Sequence, residues 1–271
     1  MRKIVVLGIG VAVAMVLAAG ASAGVAYFAD PYDTIQVSQG TTLGTAATIE
    51  ARILFSSNLD RTGYIFCEWT DSYEDKTLNG GGGSPGTLHG YFFNLAGVYP
   101  TPVITMDTWH HLAIVLDNSA VRAYLDGTQV ASQPAAGDIG DSSGLPYIGA
   151  IHRDYFPQES FGGYLDWLRV SDIARYPGGT SFTPPSGQPA SDANTQLLLY
   201  FDEPPGSSTA QDQSSYHRNG FLGEGFAEAT SPEFTSDVAQ GAVPSLGLAG
   251  LVALGLALAA VGALALALRR G

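Results

Sequence analysis

The sequence predicts an all-β protein, a two-sheet antiparallel sandwich of the jelly-roll type, followed by a C-terminal transmembrane helix. Helical periodicity is nearly absent between residues 24 and 242. Short runs of alternating apolar and polar residues recur there, rich in β-branched and aromatic side chains and separated by Gly, Pro, Asn and Asp. Many short strands divided by turn residues are typical of a β-sandwich. The end of the chain is instead one long uncharged apolar run.

The N-terminus has the composition of a signal peptide. Arg2 and Lys3 form a short positive region, and an apolar run follows from Ile4 to Ala19. Ala21-Ser22-Ala23 then supplies the small residues that signal peptidases accept. We expect residues 1–23 to be a signal peptide that is cleaved after Ala23. An uncleaved N-terminal anchor helix is the alternative.

The strand candidates follow one another through the body of the chain. In order, they are Val25–Phe28, Thr34–Val37, Ala47–Phe55, Tyr64–Trp69, Gly90–Asn94, Trp109–Asp117, Ala120–Leu125, Pro146–Ile151, Phe161–Val170, Gln196–Phe201 and Gly220–Gly223. The clearest hairpin has turns at Asp117-Asn118 and at Asp126-Gly127. We expect Asp71 to Gly86, which is charged and then Gly-rich, to be a mobile loop without a regular strand. Pro177 to Ala193 is expected to cross the surface between two strands.

The C-terminal apolar run is long enough to span a membrane. From Leu246 to Leu268 it contains only Leu, Ala, Gly and Val, which suffices for a hydrocarbon core of ~30 Å. Arg269 and Arg270 follow, and positive residues beside a span stay cytoplasmic. We therefore expect a transmembrane helix with the body of the protein outside. A buried core helix is the alternative, although such a long, uniformly apolar one would be unusual.

The segment 244–271 also resembles the C-terminal protein-sorting tails of the PEP-CTERM class. The resemblance rests on the VPSLG sequence at 243–247, the apolar run and the terminal Arg pair. It implies that a sorting enzyme acts at this motif and passes the protein to the surface; a permanent single-pass anchor is the alternative. We expect the small, polar and acidic residues 226–243 to form a flexible stalk, which leaves residues 24–225 as the folded domain.

The charge of the chain restricts its partners. There are 12 Lys and Arg residues against 25 Asp and Glu residues, and four of the basic ones lie in the terminal segments. Such a surface repels phosphates, so we exclude nucleic acid as a partner and keep cations and neutral glycans. Cys67 is the only cysteine, so no intramolecular disulfide can form. Within its apolar run we expect it to be buried.

Six segments in order carry a family resemblance. They are ATIEARI (47–53), TWHHLAIVLD (108–117), YLDG (124–127), YIGA (147–150), GGYLDWLRVSDIARY (162–176) and LLLYFDE (197–203). Together they resemble the concanavalin A-like jelly roll, and specifically the laminin-G-like domains that are widespread in bacterial surface proteins. The match extends over residues 27 to 223. We expect Trp109 to pack into the core, and His110 and His111 to be structural, one pointing inward and one outward.

Asp166 is the candidate metal ligand. In GYLDWLRV we expect Leu165 and Trp167 to share one face of a strand and Asp166 to take the other. The resemblance implies that Asp166 ligates a structural calcium ion, helped by backbone carbonyls of the first strand. A hard cation with oxygen ligands also suits an acidic domain. An ion pair of Asp166 with Arg169 or Arg175 is the alternative.

No pattern of catalytic residues stands out. The fold that the chain resembles also hosts glucanases, which need two Glu on one strand face. The nearest stretch here runs from Glu68 to Glu74, but Glu68 and Asp71 are three residues apart and would face opposite sides of a strand. Nucleophile elbows, zinc helices and phosphate loops are absent from the sequence. We therefore predict that the protein is not an enzyme.

These observations favour an exported, membrane-tethered or surface-sorted binding or adhesion module at the cell envelope. Its expected ligands are glycans or surface proteins. Stacking of sugars would need exposed rings, and the candidate loop aromatics are Tyr73, Tyr99, Tyr155, Phe156 and Tyr176. A structural component of the envelope or matrix is the first alternative. A polysaccharide-active glycoside hydrolase is the second.

Overall fold

The computed structural model describes residues 24–59, 61–70, 73–80, 88–92, 95–98, 103–141, 144–150, 160–179, 181–225 and 227–236. These residues form strands, turns and irregular segments, with no helix among them. The predicted signal peptide (1–23) and the predicted sorting motif and transmembrane helix (244–271) lie outside the described residues. Within the ranges given above, no helix is long and apolar enough to cross a membrane.

The strands of the described residues follow in chain order. They are β1 (Gly24–Phe28), β2 (Ile35–Val37), β3 (Thr42–Leu43), β4 (Ala46–Phe55), β5 (Tyr64–Thr70), β6 (Tyr73–Asn79), β7 (His89–Phe92), β8 (Ala96–Val98), β9 (Trp109–Asp117), β10 (Ala120–Leu125), β11 (Thr128–Pro134), β12 (Gly140–Asp141), β13 (Pro146–Ile148), β14 (Gly163–Ser171), β15 (Thr195–Leu199), β16 (Thr209–Ala210), β17 (Gly220–Leu222) and β18 (Glu233–Ser236).

Most of these strands belong to two eight-stranded antiparallel sheets. The first sheet has the order β11-β10-β9-β4-β14-β1-β18, and β15 also pairs with β14. The second sheet has the order β16-β17-β2-β13-β5-β6-β7-β8, while β3 and β12 form a separate two-stranded ribbon. Strands that are neighbours in space are often distant in sequence, as in a jelly roll. The predicted all-β, two-sheet antiparallel sandwich is confirmed.

The core lies between the two sheets and follows the alternation of the strands. Ile49 and Ile53 of β4, Ile114 of β9 and Phe66 of β5 belong to one hydrophobic cluster, and all four side chains are fully buried. The neighbouring residues of β4 and β9 point to the opposite side, which we call the outer face of the first sheet. Burial of apolar surface at roughly 25 cal/mol per Å² is what holds the two layers together.

Two predictions about irregular segments are wrong. Residues 73–79, expected in a mobile loop, form strand β6, because the charge of Lys76 is neutralised by Glu68 directly opposite on β5. The predicted stalk begins too early, since Glu233–Ser236 forms strand β18 against β1. Phe234 anchors that strand in the core with 3% of its surface exposed.

Candidate functional site

A β-bulge in β14 decides which side chains reach the outer face of the first sheet. Leu165 pairs with Ile53 and Trp167 pairs with Arg52, so Asp166 is the extra residue between them. Leu165 enters the core, whereas the Trp167 ring lies on the outer face, 5.6 Å from the ring of His111. The prediction that Leu165 and Trp167 share a face is therefore wrong, because the bulge interrupts the alternation.

Asp166 lies on the outer face together with Arg52. Its Oδ2 accepts a hydrogen bond from Arg52 Nη1 at 2.5 Å, and only 4% of the residue is exposed. The partner is thus Arg52, and not Arg169 or Arg175 as in the alternative drawn from the sequence. A guanidinium beside the carboxylate does not fit a calcium ligand, and the described residues contain no group of three or more His, Cys, Asp and Glu that could hold a metal ion. Calcium at Asp166 stays a prediction.

Four side chains form a continuous row at one end of this outer face. Tyr27 of β1 lies opposite Tyr164 of β14, Tyr164 opposite Leu54 of β4, and Leu54 opposite Trp109 of β9. Residues directly opposite each other point to the same face of a sheet, and these four pack in one cluster with Val25. We call Tyr27, Tyr164, Leu54 and Trp109 the aromatic row.

The two ends of the aromatic row are its accessible parts. Leu54 and Tyr164 are buried in the middle with 4% and 5% of their surface exposed, whereas Tyr27 and Trp109 are partly exposed. The rings of Tyr27 and Tyr164 stack with their centroids 4.4 Å apart. Trp109 was expected in the core and instead lies on the outer face. Leu112 of the same strand points inward, and residues three apart on a strand point to opposite faces.

Charged groups border the aromatic row at both ends. The Arg52 guanidinium carbon lies 4.4 Å from the centroid of the Trp109 ring, a cation–π contact. Glu233 of β18 lies opposite Tyr27. Burial and the neighbouring Tyr164 raise the pKa of Tyr27, so its hydroxyl stays protonated at neutral pH and can donate. Partly exposed rings beside polar groups can stack on an apolar ligand surface and hydrogen-bond to its hydroxyls.

The other half of the outer face holds a buried charged cluster. Glu50, fully buried, accepts hydrogen bonds from Arg169 Nε at 2.8 Å and from the Tyr176 hydroxyl at 2.7 Å, and His111 Nε2 lies 2.9 Å from it. We call Glu50, His111, Arg169 and Tyr176 the Glu50 cluster. Burial raises the pKa of Glu50, but His111, Arg169 and Tyr176 outweigh it and bring the pKa below its ordinary value. The carboxylate is therefore ionised, and its charge is paired with that of Arg169.

The chain between β14 and β15 covers the Glu50 cluster. We call residues 172–179 and 181–194 the covering segment. The rings of Tyr176 and Phe182 stack in parallel with centroids 3.5 Å apart, the Tyr124 hydroxyl donates to the Gly179 carbonyl at 3.1 Å, and Arg175 pairs with Asp192 at 2.8 Å. Burial and the charge of Glu50 raise the pKa of Tyr176. These contacts give Tyr176 a role in covering the cluster.

The other predicted aromatic residues contribute no described loop site. Tyr99, Tyr155 and Phe156 lie outside the described residues, and Tyr73 belongs to strand β6. The two histidines point to opposite sides as expected: His111 joins the Glu50 cluster, while His110 Nδ1 lies 2.7 Å from Asp126. Both have structural partners.

Glu68, the best candidate for a catalytic carboxylate, is enclosed in the interior. It is fully buried, and its Oε1 lies 2.9 Å from Lys76 Nζ and accepts the Thr41 amide at 3.0 Å. Thr41 also donates its hydroxyl to Oε2 at 2.5 Å. Burial raises the pKa of Glu68 above its ordinary value. A carboxylate with both oxygens bound inside the protein has no contact with a substrate.

Several solved structures are similar to this chain. A candidate carbohydrate-binding protein of Bacteroides ovatus superposes with a TM-score of 0.54 at 20% identity, over 78% of this chain and 61% of that one. A pentraxin of Limulus polyphemus gives a TM-score of 0.46 at 22% identity, over 57% and 78%. The mouse laminin α1 chain, domains LG4-5, gives 0.44 at 14% identity, over 60% and 47%. The chain therefore spans about three fifths of the length of the Bacteroides protein.

The family is shown by sequence. No curated protein matches the chain significantly. Residues 29–178 match the laminin-G model of the concanavalin A-like lectin/glucanases superfamily. These residues are more than half of the chain and include β2 to β14, together with Leu54, Trp109, Tyr164 and the Glu50 cluster. The protein therefore belongs to the laminin-G-like family within the concanavalin A-like lectin/glucanases superfamily.

Proposed function

We propose that the protein is an exported, non-catalytic glycan-binding module of the cell envelope whose ligand site is the aromatic row. The observation that carries the proposal is the combination of partly exposed rings with charged groups at both ends of the row: Arg52, paired with Asp166, beside Trp109, and Glu233 opposite Tyr27. A ring stacks on the apolar face of a sugar, and charged groups accept or donate to its hydroxyls. The Arg52–Asp166 pair holds both of its members in place for such contacts.

Several observations support a neutral glycan over other ligands. The family includes lectins and glucanases by its name, and the structurally similar Bacteroides protein is named as a candidate carbohydrate-binding protein. The net charge of −13 opposes phosphate-rich partners. Glu68 is enclosed by Lys76 and Thr41, which supports binding without turnover.

We also propose where the protein is located in the cell. The signal peptide at 1–23 directs export, and the segment 244–271 holds the protein at the membrane until a sorting enzyme acts on the motif at 243–247. The support is the composition of the two ends: a basic and apolar leader with small residues at 21–23, and an uncharged apolar run that ends in Arg269-Arg270. The glycan site would then face the outside of the cell.

The test is a glycan array probed with the full chain in detergent, followed by calorimetric titration with the best glycan. We expect Trp109→Ala and Tyr27→Ala each to weaken binding up to about tenfold, since one stacked ring contributes roughly 0.5–1.5 kcal/mol. Phe221→Ala is the matched control, because Phe221 is an exposed ring (43%) on the second sheet. Its affinity should equal that of the wild type.

Three outcomes would contradict the proposal. An empty array, with deletion of the gene changing surface architecture, would favour the structural envelope component. Binding that Phe221→Ala weakens and the row variants leave intact would move the site to the second sheet. Depolymerisation of a bound polysaccharide, lost in Glu74→Gln, would favour the glycoside hydrolase.

A further inference from the structure

The first residue of β1 is held by a carboxylate from a distant part of the chain. The backbone nitrogen of Gly24 donates to Asp202 Oδ1 at 2.6 Å, across 178 residues of sequence. The other oxygen of this carboxylate, Oδ2, accepts Gln188 Nε2 at 2.9 Å. Each oxygen of Asp202 therefore has one nitrogen donor, and the carboxylate is oriented towards Gly24.

The backbone around this contact is fitted to a glycine. A Cβ atom at position 24 would lie 2.6 Å from the Phe201 carbonyl oxygen and 2.7 Å from Asp202 Cα, both of which are backbone atoms. Phe201 itself has a φ of 58°, a conformation that costs a non-glycine residue about 1 kcal/mol or more. The Phe201-Asp202 backbone is thus held in a strained form that receives Gly24 and presents the carboxylate to its nitrogen.

Gly24 is also the residue that follows the small residues Ala21-Ser22-Ala23. In the proposed export, on which this inference rests, signal peptidase hydrolyses the bond between the carbonyl carbon of Ala23 and the nitrogen of Gly24. Water supplies the oxygen of a new carboxylate on Ala23 and the protons that turn the Gly24 nitrogen into an ammonium group. The positive charge arises on the one atom that already points at Asp202 Oδ1.

We infer that Asp202 is the binding site for the α-ammonium group that processing creates at Gly24. An ammonium–carboxylate pair is a charge-assisted contact, about twice as strong as one between neutral groups. Removal of the leader therefore strengthens the attachment of β1 to the Phe201-Asp202 backbone. β1 joins β14 to β18, so maturation stabilises the edge of the first sheet.

The sequence offers an unusually clean chemical readout. Lys3 and Lys76 are the only lysines of the chain, and Lys3 leaves with the leader. Lys76 is fully buried, so the α-amino group of Gly24 is the only accessible amine of the processed protein that the structure describes. An amine-specific ester at pH 7 then labels Gly24, and mass spectrometry locates and times the label.

The experiment uses the full chain, expressed with its own leader and purified from membranes in detergent. We expect an intact mass that begins at Gly24. Asp202→Asn should raise the rate of α-amine acylation several-fold and lower the melting temperature by about 2–4 °C. Asp138→Asn is the matched control, because Asp138 is an exposed aspartate whose Oδ1 also accepts a backbone amide, that of Gly140; it should change neither value.

A second pair of variants separates the charge from the fold. In a chain with Ala23→Tyr, which blocks cleavage, Gly24 keeps its amide and Asp202→Asn should shift the melting temperature by clearly less than in the processed chain. Equal shifts in the two backgrounds, an unchanged labelling rate, or a mature N-terminus other than Gly24 would each overturn the inference. The glycan array is read on the same preparations and is independent of these outcomes.

Discussion

The aromatic row and the Glu50 cluster share the outer face of β4, β9 and β14, to which the row adds Tyr27 of β1 and the cluster adds Tyr176, and yet they are built in opposite ways. In the Glu50 cluster every charge has a partner and the covering segment shields it from water. In the aromatic row the rings at both ends stay partly exposed, and charged groups lie beside both of them. A buried carboxylate is tolerated only when it is paired and covered. The half of the outer face that holds the Glu50 cluster therefore stabilises the fold. The other half is available to a ligand.

Removal of the carboxylate from the Glu50 cluster should have the largest effect on stability. Glu50→Ala leaves Arg169 and His111 without their carboxylate in a buried site, and we expect a loss of about 3–5 kcal/mol in the free energy of unfolding. Urea unfolding at pH 7 measures it. Glu224→Ala, at an exposed glutamate, should stay within about 0.5 kcal/mol of the wild type. A small effect of Glu50→Ala would mean that the cluster is not essential to stability.

The covering segment gives the next largest effect. Phe182→Ala removes the ring that stacks on Tyr176 and packs edge-on against Tyr124, and we expect a loss of about 2–3 kcal/mol because this ring is only partly buried. Hydrogen exchange should show faster exchange at the amides of 172–194 and unchanged exchange in β1. Equal acceleration in both regions would show that the covering segment does not open as a separate unit.

The pH dependence of stability should differ between the two buried carboxylates Glu50 and Glu68. The folded pKa of Glu50 lies below its ordinary value, so its contribution to stability is present above about pH 4.5 and is lost as the pH falls through the folded pKa. The stability difference between the wild type and Glu50→Gln should therefore shrink as the pH is lowered from 6 to 3. Glu68 has a raised pKa and should show the opposite sign. Its contribution to the free energy of unfolding should fall as the pH rises above about 4.5. Parallel profiles for both Gln variants would contradict this assignment.

The aromatic row should cost little stability when it is altered. Trp109→Ala removes a partly exposed ring, and we expect a loss of about 1 kcal/mol in the free energy of unfolding, well below that of Glu50→Ala. The same variant should lose glycan affinity by up to about tenfold. A loss of stability as large as that of Glu50→Ala would make Trp109 a core residue and remove it from the proposed site.

The smallest expected effect concerns calcium. Because Arg52 already pairs with Asp166, we expect an excess of Ca²⁺ over chelator to change the melting temperature of the wild type by less than about 1 °C. Arg52→Gln removes this ion pair and should increase that shift. A rise of several degrees in the wild type, abolished by Asp166→Asn, would establish the calcium site that the resemblance implied.

The sequence predicted the fold better than the site, for a physical reason. The bounds of β9 and β10 agree with the prediction because their alternation of core and outer residues is uninterrupted between two turns. The orientation of Trp167 was predicted wrongly because a bulge at Asp166 adds one residue without a change in composition. The charged residues of β6 suggested a loop because the partner of Lys76 is fixed only by pairing with β5.

The aromatic row was missed because its members come from four strands that only the sheet order places side by side. One signal was available: Trp109 and Tyr164 stand at the starts of predicted strands, and Leu54 and Tyr27 stand near the ends of others. In antiparallel neighbours those positions meet at the same end of a sheet. The strand order β9-β4-β14-β1, which brings the four residues together, could not be predicted from the sequence.

The pairing of β1 with β18 has a mechanical consequence. Gly24 lies opposite Ser236 and Tyr27 opposite Glu233, so tension applied to the chain beyond Ser236 loads the rung at Gly24 first and opens the ladder one rung at a time. Such an edge yields at low force, and its lifetime depends on the rate of opening. The bond from Gly24 to Asp202 holds the β1 side of that first rung, so the load detaches β18 and leaves β1 on the sheet.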